Sequence, residues 1–325
     1  MSETHRSRPR RRRPLRRAAA GLLVLSAVIG YCVVQRASNG GGAPYCSVTA
    51  SGLGSGSPGG DAERTYEMTP EQAANAATIA AVGLSKGLPD RAVTIALATA
   101  MQESGLRNLD HGDRDSLGLF QQRPSQGWGT PQQIMDPVYS AGIFYDRLVE
   151  VKGYGRLPLT VAAQRVQLSG FPEAYAKHEP NATVLTAAFG EGAAGATLFC
   201  SGPAPKPGDP ERIRAELARD FGKEMPVAAG PAGAASGAGE TGARPAALGE
   251  MVVRPKAAGG PDRERRARAV AHWAVARSKD LGITGVAYAR SDWTAGADRG
   301  RWMPRGTKAD APGAGREEVR ISTGR

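Results

Sequence analysis

The chain has 325 residues, a formal net charge of +11, 41% apolar residues and three cysteines, a length that suits two modest domains with buried cores. The charge is concentrated at one end: residues 1–36 hold nine arginines and one glutamate, which leaves +3 for the rest. A nucleic-acid-binding face would interleave basic and aromatic residues on a folded surface, and no such pattern is present, so nucleic acid is excluded as a partner.

In chain order, a basic segment at 1–17 comes first. It is followed by the apolar stretch AAAGLLVLSAVIGYCVV at 18–34, which includes Cys32. Seventeen residues just reach across a bilayer and exceed most signal-peptide cores. The arginines hold the cytoplasmic side, which sends the rest of the chain outside. No small-x-small cleavage site follows, so 18–36 is expected to be an uncleaved single-pass anchor, with a cleaved signal and a secreted product as the alternative. Residues 37–60, rich in Gly and Ser, are expected to be a tether. Beyond Cys32 only Cys46 and Cys200 remain, and outside the cell such a pair reads as a disulfide.

Helix starts dominate residues 61–200. Thr-Pro-Glu-Gln at 69–72 combines an N-cap, a first-position proline and a capping-box glutamine. A second helix starts near Pro89, and Thr-Pro-Gln-Gln at 130–133 and Asp-Pro at 136–137 repeat the device. Further helices are expected near 159–168 and 181–189. Strict alternation is nearly absent, so the expected fold class is mainly α. A link at 201–208 leads to a small α/β domain over 208–325. In it, helices are expected at 209–222 and 262–281 and strands at 250–254, 285–289 and 317–322. Its segment 226–247 is low complexity, with too little apolar bulk to fold.

One carboxylate is oddly situated. The run AVTIALATAM at 92–101 is apolar on nearly every face, which marks a buried helix, and Glu103 closes it just before Ser104-Gly105. There it faces the negative pole of the helix dipole, and partial burial adds to the effect. Both raise its pKa, as a general acid working near neutral pH requires. The following loop, DSLGLFQQRPSQGWGT, supplies glycines for close backbone approach, Gln121 and Gln122 for paired hydrogen bonds, and Trp128 as an apolar face for a sugar ring. Asp110, Asp113 and Asp115 are the nearest candidates for a second carboxylate, though loop capping is their commoner role.

Glu103-Ser104 followed by DSLGLFQQRPS resembles the signature of lytic transglycosylases and goose-type lysozymes, in an actinobacterial branch of the lysozyme-like superfamily. The match covers roughly residues 70–200. The resemblance implies a lysozyme-like α domain acting on peptidoglycan glycan strands, with Glu103 as the catalytic acid and Ser116, Gly118 and Gln121 in the glycan groove. The Tyr-Asn-Ala-Gly-Pro-Gly string usual in transglycosylases is missing, and Tyr175, in FPEAYAKHE, is the candidate substitute. No metal or other cofactor is expected: the aspartate spacing does not fit a calcium loop, and the histidines at 5, 111, 178 and 272 have no paired ligand spacing. Two readings follow for this membrane-tethered, extracytoplasmic chain. One is an enzyme that cleaves the glycan strand. The other is a peptidoglycan-binding module that keeps the groove without turnover. The 208–325 domain is left without an assigned role.

Overall fold

Capped turns and one cross-strand disulfide organise the chain. The computed structural model describes residues 43–53, 63–169, 172–190, 195–222, 227–228, 249–256, 260–305 and 316–324. The expected basic segment and anchor at 1–36 lie outside the described residues, as does all of the 226–247 insertion except residues 227–228. No helix among the described residues is long and apolar enough to cross a membrane.

The first strands are β1 (Tyr45–Ala50) and β2 (Arg64–Met68), and the helices α1 (Pro70–Ser85) and α2 (Asp90–Ser104) follow. Thr69 opens α1 with a complete capping box: its hydroxyl accepts from the Gln72 N–H, and the Gln72 side chain accepts from the Thr69 N–H. Thr130 does the same for the short α3 (Pro131–Ile134), and the Asp136 carboxylate caps α4 (Pro137–Glu150). Next come α5 (Leu159–Gln167), a 3-10 turn (Pro172–His178), α6 (Glu179–Phe189) and β3 (Ala196–Ser201). As its all-round apolar sequence requires, α2 is buried continuously from Ala92 to Met101. It packs on α6, where the Thr94 and Thr186 hydroxyls meet at 3.0 Å.

Strand β1 falls inside the stretch expected to be a tether, and it is the centre of a three-stranded antiparallel sheet in the order β2-β1-β3. Its apolar residues Val48 and Ala50 alternate inward, and Cys46 stands directly opposite Cys200, to which it is disulfide-bonded. The Gly- and Ser-rich surroundings hid this strand. Its partner β3 lies about 150 residues away, and pairing at that distance leaves no local trace.

The remaining elements are α7 (Pro210–Phe221), β4 (Val227–Ala228), β5 (Glu250–Val253), α8 (Gly260–Ala276), α9 (Ser278–Leu281), β6 (Gly285–Tyr288), β7 (Ser291–Thr294), β8 (Trp302–Pro304) and β9 (Val319–Ser322). The strands form one antiparallel sheet in the order β4-β5-β9-β6-β7-β8. Of the described residues 51% are helical and 18% are in strand, in two sheets, so the fold is mixed rather than the mainly α one expected. Strands β2, β3, β7 and β8 were not foreseen.

Helix α8 is buried from Ala269 to Ala276 because it touches β6 and β9 on one side and α1, α6 and β3 on the other. Across that packing the Trp302 indole N–H donates to Leu198 O, and His272 bonds Ala188 O. The described residues from Pro44 onward thereby form a single compact unit.

Candidate functional site

The site is built outward from the C-terminal end of α2. The helix closes on Gly105 in the left-handed conformation: the Gly105 N–H returns to Met101 O and the Leu106 N–H to Ala100 O. The turn is pinned from α1, where the Gln72 side chain donates to Gly105 O and Asn75 to Leu106 O. The buried Ser104 hydroxyl lies 2.8 Å from Leu119 O and 3.1 Å from Ala100 O, which ties the helix end to the loop that follows. Glu103 is therefore carried on a terminus fixed from two directions.

Its carboxylate is partly buried, and no ion pair to it occurs among the described residues. The Tyr175 hydroxyl donates to Glu103 Oε1 at 2.6 Å, and the Gln167 side chain stands near the carboxylate. Desolvation raises the Glu103 pKa, and the Tyr175 hydroxyl and the nearby Gln167 amide oppose that rise without cancelling it. Burial, and then the neighbouring carboxylate, push the Tyr175 pKa far up, so the phenol stays protonated and remains a donor. Tyr175 sits on the 3-10 turn, which packs on both α2 and α5 and is clasped to α2 by a His178–Gln102 contact of 3.1 Å.

The loop from 105 to 130 is braced by its own side chains. Gly118 pairs with Leu109, and Leu117 with Gln122, as two isolated bridges. Gly118 has φ 78°, and a Cβ there would stand 2.7 Å from Ile134 O, so the position requires glycine. The Ser116 hydroxyl is shared between Asp113 O at 2.7 Å and Gln121 Oε1 at 3.1 Å. The Gln121 amide nitrogen reaches His111 O and Gly118 O, both at 3.3 Å. Gln121 itself adopts φ 47°, a left-handed conformation unusual outside glycine, of the kind that tertiary contacts must enforce.

The expected site residues thus separate into three groups. Glu103 and Tyr175 are in direct contact. Ser116, Gly118 and Gln121 form one braced unit of loop, joined to the Glu103 terminus through the Ser104–Leu119 bond. Gln122 and Trp128 instead pack the loop onto α4: Gln122 is buried and donates to Ser140 O at 3.0 Å, and Trp128 is 6% exposed with the Arg147 guanidinium 3.5 Å over its ring. Trp128 therefore has one ring face already covered.

Gln167 was missed in the sequence. It donates to Phe120 O at 2.8 Å and stands close enough to Glu103 to lower that carboxyl's pKa, so it ties α5 to the loop beside the carboxylate. A glutamine in the last turn of an ordinary amphipathic helix carries no signal of such a role. Among the aspartates, Asp115 is committed to Arg123 at 2.8 Å and to the Ser125 N–H, which hold its pKa well below the usual carboxylate range. Asp113 is 91% exposed at its side chain, and Asp110 bonds only its neighbour His111 among the described residues.

No cluster of His, Cys, Asp or Glu among the described residues is arranged to hold a metal ion. The chain matches no family model and no curated protein.

Proposed function

We propose that this protein cleaves peptidoglycan glycan strands at its lysozyme-like α segment, with Glu103 as general acid and then base. The observation that carries the reading is the Glu103–Tyr175 pair: a partly buried, cation-free carboxyl group with a raised pKa, oriented by a phenol 2.6 Å away. Such a group keeps its transferable proton to a higher pH than an ordinary glutamate, as a general acid needs. It protonates the glycosidic oxygen as the bond to the muramyl C1 breaks. The resulting carboxylate then accepts the proton of the muramyl 6-hydroxyl as that oxygen closes on C1. The product is a 1,6-anhydro end, and no water is consumed. The commitment of Asp115 to Arg123 supports this one-carboxylate route over one that needs a second free carboxylate.

Glu103→Gln keeps shape and hydrogen-bonding capacity and removes the transferable proton. Muropeptide release from purified walls should fall by about 10²- to 10⁴-fold while sedimentation with the walls persists. Mass spectrometry of the wild-type digest should show anhydro ends. Reducing ends would replace the transglycosylase route with hydrolysis. Retained binding with no release by wild type would leave a wall-binding module.

A further inference from the structure

The 3-10 turn that carries Tyr175 has few anchors. Within Pro172–His178, Tyr175 is buried and His178 half-buried, whereas Glu173, Ala176 and Lys177 are exposed. A 3-10 helix has about three residues per turn, so the Tyr175 and His178 side chains project from the same side. Both meet the end of α2. The Tyr175 hydroxyl donates to Glu103, and His178 Nε2 lies 3.1 Å from the Oε1 of Gln102, the residue just before it. A carbonyl oxygen only accepts, so Nε2 carries the hydrogen. Burial, followed by the Lys177 charge, lowers the His178 pKa from 6.5, so the ring is neutral near pH 7 and the bond needs no charge.

Two contacts do what one cannot. Consecutive residues of an α-helix point about 100° apart, so Gln102 and Glu103 hold the turn from two directions. With the Tyr175–Glu103 bond alone, the turn is free to swing about it and the hydroxyl leaves the carboxyl group for part of the time. His178 is not spent on its own helix either: it stands at the N-cap of α6, yet its side chain makes no capping bond.

We propose that His178 is a positioning residue for Glu103: through Gln102 it locks the 3-10 turn on α2 and so fixes the Tyr175 hydroxyl on the carboxyl group. The assignment rests on the cleavage reading only in calling that carboxyl the acid; the hold itself is a property of the fold. A hydroxyl kept in place favours the ionised carboxyl, so a loosened turn lets Glu103 keep its proton to higher pH. The other side chain that acts on the carboxyl, Gln167, belongs to α5 and is tied separately to Phe120 O, so it stays when the turn loosens.

The test is a carbon-13 NMR titration of the Glu103 carboxyl in the full-length protein, with Glu103→Gln identifying the resonance. His178→Ala should titrate at higher pH than wild type, as Tyr175→Phe does. Gln102→Leu removes the acceptor from the α2 side and should do the same; it decides the matter by itself if His178→Ala does not fold. His178→Gln keeps a donor at the Nε2 position and should titrate with wild type. Both changes act through one hydroxyl, so Tyr175→Phe combined with His178→Ala should titrate where Tyr175→Phe alone does. Muropeptide release by His178→Ala should fall about threefold or more, with its alkaline limb at higher pH, and His178→Gln should restore both. An unmoved Glu103 titration in folded His178→Ala or in Gln102→Leu overturns the proposal. So does a double variant that shifts further than Tyr175→Phe, or a glutamine variant that behaves like the alanine one. The titration needs no turnover. A wild type that releases no muropeptides removes the cleavage reading, while an upward shift in His178→Ala keeps the positioning role, so the two fail separately.

Discussion

At the end of α2 a carboxylate meets the negative pole of its own helix in a partly desolvated setting, and each circumstance disfavours the ion. Folding therefore favours the protonated form of Glu103 and raises its pKa above the ordinary 4.5. Its contribution to stability is complete below about pH 4.5 and is lost as pH rises through the raised value. Glu103→Gln is thus expected to melt higher than wild type at pH 7.5, with the gain shrinking to nothing by pH 4; equal melting temperatures at pH 7.5 would contradict the assignment. Tyr175 acts in the opposite sense, because its hydrogen bond favours the ion. In Tyr175→Phe the Glu103 pKa rises further, so the alkaline limb of the rate profile should move to higher pH. Release should also slow by about tenfold as the carboxyl loses its orienting partner. An unshifted profile would make Tyr175 a packing residue.

The elements show what local sequence can carry. Thr69-Pro70, Thr130-Pro131, Asp136-Pro137 and Asp209-Pro210 each start a helix where the capping pattern expects one, because a cap is satisfied within a single turn. The expected 262–281 helix is divided at Arg277 into α8 and α9, and that arginine turns inward to Asp220 and Glu216 instead of continuing the outer face. The β1–β3 pairing depends on the other end of the domain, and the Cys46–Cys200 bond spans 154 residues of sequence. In the chain-entropy account that closure is worth about 5 kcal/mol. Replacing both cysteines by serine should lower the unfolding free energy in denaturant titrations by up to that amount. A loss under about 1 kcal/mol would mean that the sheet holds its register without the bond.

For the whole molecule, α8 is the joint between the helical segment and the larger sheet, and His272 lies inside it. The ring is buried against Trp302, hydrogen-bonded to Ala188 O, and near the Arg268 charge. Burial lowers its pKa to about 4 from 6.5. The neutral ring is the form the fold accepts, so its stabilisation is complete above about pH 6.5 and is lost as pH falls toward 4, a span worth roughly 3 kcal/mol. The stability difference between wild type and His272→Gln should shrink by about that much between pH 7.5 and 4. A difference independent of pH would show that the ring is not the acid-sensitive group.

Sequence alone determined the helix starts, the buried character of α2, the isolation of Glu103 at its end, and the only cysteine pair available beyond Cys32. Each of these is written within one or two turns of chain, or follows by elimination from a count. Tertiary structure alone decided that Tyr175 reaches Glu103 across 72 residues, that Gln167 joins them, and that Trp128 spends one ring face on Arg147. It also decided that a Gly-rich stretch contains the central strand of a sheet. A side chain's partner depends on which elements pack together, and that packing is set by the sum of many weak burial terms, which leave no mark on the residues nearby.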